Sequence, residues 1–145
     1  IDALLFLGDH FYPHGVNSVS DPRWHTEFVK LYGTSPCLSK KKIFAILGNH
    51  DYRGSAQAQI NYSAVSDQWV MPYRFYRVDF GSLLRVISFD SSVADVCFLP
   101  SQCSVDFLRS QAQNSPTRWT VALSHHPVRS ASKQGGSHSG SGFFG

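Results

Sequence analysis

A chain of 145 residues with 42% hydrophobic content has the length of one domain and enough apolar material to build a core. Its net charge of +3 is small and its basic residues are scattered apart from Lys40 to Lys42, a solvated run, so nothing resembles a nucleic-acid-binding stripe. No apolar stretch approaches the roughly 18 residues of a membrane span, and Cys37, Cys97 and Cys103 lack the C-x-x-C spacing of thiolate zinc or thioredoxin-like redox chemistry.

The first element is the apolar run "ALLFL" at residues 3–7, which has the make-up of a strand buried on both faces and stops at Gly8 and Asp9. In "SDPRWHTEFVKLYG", Asp21 can cap, Pro22 suits the first helical position, and Trp24, Phe28 and Leu31 share a face, which predicts a helix ending near Gly33. A second apolar run, "IFAIL" at 43–47, stops at Gly48, Asn49 and His50. "SAQAQINYSAVSDQW" predicts a helix that starts from a Ser55 cap. "FYRVDF" and "LLRVISFD" flank Gly81 and Ser82 and read as an antiparallel hairpin. A further helix over "SVDFLRSQAQ" precedes the third apolar run, "TVAL", which leads through Ser124 into His125 and His126.

This order is that of an α/β protein with a mixed sheet. Ligands of such sheets bind in the crevice beyond the carboxyl ends of the strands. Polar residues at the ends of three runs should therefore meet in one place. Taken singly, each phrase also reads as a turn, because Asp and Asn bond their own backbone there.

Asp9, Tyr12, Asn49 and His125 together offer a carboxylate, a phenol, an amide oxygen and an imidazole. That set suits hard or borderline cations and suits thiophilic ones badly. A carboxylate can bridge two ions, and Asn49 adds an oxygen without adding charge. Tyrosine binds well only as phenolate, and with a solution pKa of about 10 it needs a strongly charged ion such as Fe(III) to ionise near neutral pH. Seven histidines against a single glutamate, Glu27, favour metal chemistry further.

The sequence resembles the calcineurin-like metallophosphoesterases and, among them, the purple acid phosphatases of the type 5 (tartrate-resistant) kind. Their metal ligands come in five blocks, D-x-G, G-D-x-x-Y, G-N-H-[DE], V-x-x-H and G-H-x-H. Residues 8–12, "GDHFY", fit the second and residues 48–51, "GNHD", the third, while "VALSHHPVRS" at 121–130 looks like the fourth. The likeness continues between the blocks, in "SAQAQINYS" and around Phe75, Tyr76 and Arg77. It implies a four-layer α/β/β/α sandwich with mixed sheets, of which residues 1–145 are one partial domain without the first and last blocks. It further implies that Asp9 bridges two metals, that Tyr12 binds the ferric one, and that Asn49 and His125 bind a divalent Fe, Zn or Mn. His50 would contact the phosphate or its leaving group as a catalytic residue.

Three departures from the type 5 pattern stand out. His10 replaces the usual Asn of G-D-N-F-Y, and His126 stands where those enzymes carry Tyr. A further active-site His expected nine residues beyond His125 is replaced by Gln134, and His138 is the alternative catalytic candidate if the loop carries an insertion. His14 belongs to the cleft mouth or to the plain surface, and Asp51 and Asp90 read as structural carboxylates at strand ends.

The resemblance implies an acid phosphatase that hydrolyses phosphate monoesters with a metal-bound hydroxide at a dinuclear Fe(III)–M(II) centre, at acidic pH, in a lysosomal or secreted setting. The fragment alone, lacking one Asp and two His ligands, is expected to be inactive. A dinuclear phosphodiesterase or protein phosphatase, and a non-catalytic domain of the same fold, are the alternatives. Cys97 and Cys103 could close a short disulfide loop, and Asn61 to Ser63 form a glycosylation sequon.

Overall fold

The apolar runs become strands in the computed structural model of the chain, which describes residues 1–92 and 102–127. Strands β1 (Ala3–Phe6), β2 (Lys42–Ala45) and β3 (Trp69–Val70) form a parallel sheet in the order β1-β2-β3. Strands β4 (Tyr76–Phe80), β5 (Leu84–Ser88) and β6 (Trp119–Leu123) form a second sheet, antiparallel between β4 and β5 and parallel between β5 and β6. The mixed sheet read from element order is thus one of two, in keeping with the sandwich that the resemblance implied. Periodicity shows that a segment is a strand but not which sheet takes it.

The two sheets pack face to face. Phe44 and Phe80 meet edge to face with ring centroids 5.6 Å apart, and Ile46 joins Val86 and Leu123 in one apolar cluster. The Tyr76 hydroxyl lies 2.9 Å from the Ala45 carbonyl and 3.1 Å from that of Val70, so β4 is tied across to β2 and β3. Helix α1 (Ala56–Tyr62) and a helix at Trp24–Gly33 cover the first sheet, where Trp24 stacks on Tyr62 at 3.5 Å and meets Trp69 edge-on at 5.1 Å. Helix α2 (Gln102–Gln113) lies on the second sheet, where buried Arg85 grips Asp79 through two bonds and donates to the Gln111 carbonyl at 2.9 Å. The layers therefore run α/β/β/α.

The Trp24–Gly33 helix is a π-helix. Its i→i+5 bonds widen each turn, so Trp24 and Phe28 stay buried with Tyr32 beside them. Leu31, expected on that face from α-helical spacing, is rotated out and is 59% exposed. Ser55 does cap α1, accepting from the Ala58 amide at 3.2 Å. Strand β3 has only two residues, too few to stand out in the pattern. Of the three apolar runs only β2 is buried along most of its length, whereas β6 is exposed except at Leu123. β1 and β6 are the outer strands of their sheets among the described residues, and an outer strand is covered less completely than a middle one.

Candidate metal centre

Both sheets aim carboxyl ends at the same place. β1 runs out through Leu7 into Gly8 and Asp9, whose φ angles of +88° and +56° lie in the left-handed region; Gly enters it freely, and Asp is among the few residues that tolerate it. A Cβ on Gly8 would sit 2.7 Å from both the Gly48 nitrogen and His125 Nδ1, and one on Gly48 would sit 2.3 Å from Asp9 Oδ1. The two loops therefore meet where each has no side chain.

A fully buried carboxylate holds them together. Asp51 Oδ2 accepts from the amides of Asp9 and Gly48 at 2.8 Å each, and Oδ1 accepts from Gln59 Nε2 at 2.7 Å and, more weakly, from the His10 amide at 3.3 Å. The structural role expected for Asp51 is thus a specific one. Its partner Gln59, on α1, lies within the "SAQAQINYS" stretch that carries the likeness, but nothing there marks it as the support of Asp51.

Asp9, Tyr12, Asn49, His50 and His125 are brought together. Asp9 Oδ1 accepts from the His50 amide at 2.8 Å, and Oδ2 accepts from the Tyr12 hydroxyl at 2.7 Å and lies 3.4 Å from His125 Nε2. Burial works to raise the Asp9 carboxyl, but the Tyr12 and His50 hydrogen bonds and the neighbouring imidazoles outweigh it and hold the group below its ordinary value. The same bond to Asp9 pushes the Tyr12 phenol up, so without a cation it remains a protonated donor.

His125 carries the test of fit. Its Nδ1 lies 2.7 Å from the Leu7 carbonyl, which can only accept, so Nδ1 bears the proton. In the neutral ring Nε2 then presents a lone pair 3.2 Å from Asn49 Oδ1 and 3.4 Å from Asp9 Oδ2, itself another acceptor. Three acceptors so turned are satisfied by a cation seated between them, as they are by a proton on Nε2. A histidine whose second nitrogen is anchored to a backbone carbonyl is the usual posture of a metal ligand. The donor set fits a metal, although among the described residues no three His, Cys, Asp or Glu side chains cluster, since Asn and Tyr supply the remaining donors.

His50 stands beside this group. Its Nδ1 donates to the Pro13 carbonyl at 2.8 Å, Nε2 has no hydrogen-bond partner among the described residues, and its ring lies 4.5 Å from that of Tyr12. His10 points away from this group: it is half-buried, its Nε2 donates to the Ile46 carbonyl at 2.7 Å and its ring meets Trp69 edge-on, and burial pushes the imidazole below its usual value. His14 is exposed. His126 packs against His125 at 4.9 Å and is held by Ser91, whose hydroxyl lies 2.8 Å from Nδ1. Asp90 accepts from Tyr52 and from the Ser92 amide. His138, Gln134 and Cys97 lie outside the described residues, as does any pairing of Cys97 with Cys103.

A face-to-face pair of sheets whose strand ends deliver Asp, Asn and His to one point is the build of a metallophosphoesterase. The sequence model of the calcineurin-like phosphoesterases matches residues 1–143, and the chain belongs to that family. Within it, the chain is 29% identical to tartrate-resistant acid phosphatase type 5 of Homo sapiens over 94% of its own length and 48% of that protein's. It is 30% identical to the Oryctolagus cuniculus form (93% and 47%) and 28% identical to purple acid phosphatase 3 of Arabidopsis thaliana (93% and 41%). The chain spans about half the length of these curated relatives. A solved structure described as GAP50, the anchor in the inner membrane complex of Plasmodium, shares the fold with a TM-score of 0.71 at 19% identity, over 92% of this chain and 47% of that one. Among the described residues no helix is long and apolar enough to cross a membrane.

Proposed function

We propose that the protein to which this chain belongs is an acid phosphatase acting on phosphate monoesters, with Asp9, Tyr12, Asn49 and His125 holding metal and His50 facing the substrate. The observation that carries this reading is the set of opposed acceptors formed by Asp9 Oδ2, Asn49 Oδ1 and His125 Nε2. When bound, an Fe(III) and divalent Fe, Zn or Mn pair supplies neutralisation of phosphate charge and acidification of water. Asp9, reached by donors on both oxygens, keeps its carboxylate oriented; the Leu7 carbonyl keeps the His125 lone pair aimed inward. His50, with Nδ1–H tied to Pro13, has Nε2 available to bind a phosphate oxygen or to pass a proton to the leaving alcohol. Residues 1–145 form part of that catalytic domain, and an acidic working range with a lysosomal or secreted setting accompanies a ferric centre. Tyr12 favours this reading over a phosphodiesterase using two divalent ions, because a phenol suits a trivalent ion.

The experiment is metal analysis, a visible spectrum and an aryl-phosphate assay at acidic pH on the intact protein. Two metals per chain, a visible charge-transfer band that Tyr12→Phe abolishes, and turnover are expected. A colourless, active protein with two divalent metals would support the phosphodiesterase or protein-phosphatase alternative; a metal-loaded protein without turnover would leave a domain that binds without catalysis.

A further inference from the structure

The site's outer wall is made of two loops, residues 12–16 and 50–55, zipped to each other. Gly15 N donates to the His50 carbonyl at 2.9 Å, Ser55 N donates to the Val16 carbonyl at 2.7 Å, and His50 Nδ1 donates to the Pro13 carbonyl at 2.8 Å. A Cβ on Gly54 would lie 2.3 Å from the Gly15 carbonyl oxygen, so the loops are in direct backbone contact. What fixes this pair to the body of the protein comes from the residue just before the π-helix.

Arg23 donates from Nη1 to the His14 carbonyl and from Nη2 to the Gly15 carbonyl, both at 2.5 Å. Its orientation is set from behind by Asp21, which takes Nε at 3.2 Å and Nη2 at 3.1 Å in a bidentate pair and is itself held by the Asn17 amide at 2.9 Å. The guanidinium also sits 6.0 Å over the ring of Phe11, the residue just before that loop. A planar fork that satisfies two consecutive carbonyls and one carboxylate at once is a task for arginine and not for lysine. The carbonyl it leaves free is the one before them, Pro13, and that is the group that holds the His50 ring.

We infer that Arg23 is a positioning residue for His50, acting through the carbonyls of His14 and Gly15 to fix the Pro13 carbonyl that orients the imidazole. The inference rests on the reading of His50 as the residue facing substrate, and it gives the entrance to the π-helix a purpose in turnover. Arg23 touches no reacting atom.

Arg23→Ala, Arg23→Lys and Asp21→Asn are compared in the intact protein, with the exposed Arg109→Gln as control. The first readout is the His50 Nδ1–H proton in nitrogen-edited NMR of the intact protein freed of metal by chelation, so that no ferric ion broadens a proton this near; it needs no substrate. Its resonance is expected to be sharp in the parent and in Arg109→Gln, and to be lost to solvent exchange in Arg23→Ala. The second is kinetic: kcat on an aryl phosphate is expected to fall about 10- to 100-fold in Arg23→Ala with KM changed far less, since small misplacement of a catalytic group has that cost. Lysine and Asp21→Asn are expected to fall between, and added guanidinium ion at millimolar concentration is expected to restore part of the alanine variant's rate. An unchanged Nδ1–H signal with unchanged kcat in folded Arg23→Ala overturns the inference. Should the alanine variant not fold, Arg23→Lys decides by the same two readouts. A parent protein that does not hydrolyse phosphate esters defeats the phosphatase reading alone, since the NMR readout still judges Arg23.

Discussion

At the scale of single residues, the most demanding position is Asp51. Its carboxylate serves two backbone amides at 2.8 Å and a buried amide side chain, and hydrogen bonds to a charged acceptor are worth about 1.5–3 kcal/mol each. Asp51→Asn keeps the shape but turns an NH2 towards N–H donors, and chemical denaturation is expected to show a loss of about 3 kcal/mol or more. Gly48→Ala is expected to fold less stably and to lose metal on dialysis, because the new methyl occupies the space of Asp9 Oδ1. The motif residues were legible in the sequence because each follows an apolar run at its polar end. What was not legible is which atoms face one another. Nothing in "GDHFY" says that His10 turns towards the Ile46 carbonyl while Tyr12 turns outwards, or that a glutamine eight residues after Asp51 would support it.

At the scale of elements, α1 matters beyond its seven residues because it carries Gln59 to Asp51. Removing its cap with Ser55→Ala is expected to cost about 1 kcal/mol, read from the urea midpoint at constant slope. The entrance to the π-helix responds to acid. The Arg23 guanidinium holds Asp21 at about 2, below the ordinary 3.8, so this pair stabilises the fold above the unfolded value and the contribution is lost as pH falls from about 4 towards 2. At a partly exposed site the contribution is about 1 kcal/mol or less. Arg23→Ala is expected to flatten that limb of the stability-against-pH curve. The helix ending at Gly33 was legible, but the face of Leu31 was not, for a physical reason: the same apolar residues fit either winding over a single turn, and only the packing of Trp24, Phe28 and Tyr32 reveals the wider one.

At the scale of the whole molecule, two sheets meet so that the ends of β1, β2 and β6 bring Asp9, Asn49 and His125 together, and the layers outside them carry supports such as Gln59 and Arg23. Buried Asp90 sits where β5 leaves this core, and burial raises its carboxyl despite bonds from Tyr52 and the Ser92 amide. A carboxyl whose folded value is raised costs stability once deprotonated and regains it as pH falls. Asp90→Asn is therefore expected to compare better with the parent at pH about 7 than at pH about 4.5, by denaturation at both. The α/β/β/α order was foreseeable only from the resemblance, because local patterning cannot tell one sheet from two. Asp51 has a consequence for how such a protein can drift over generations. Because that carboxylate props up backbone in both loops, a lineage that abandons hydrolysis but keeps its shape is expected to keep Asp51, whereas Tyr12, whose described bond reaches only the Asp9 carboxylate, and Asn49, which faces only the His125 ring, are freer to change. The aspartate is thus a mark of architecture, and under the proposed function the phenol and amide beside it would be the marks of a living catalyst.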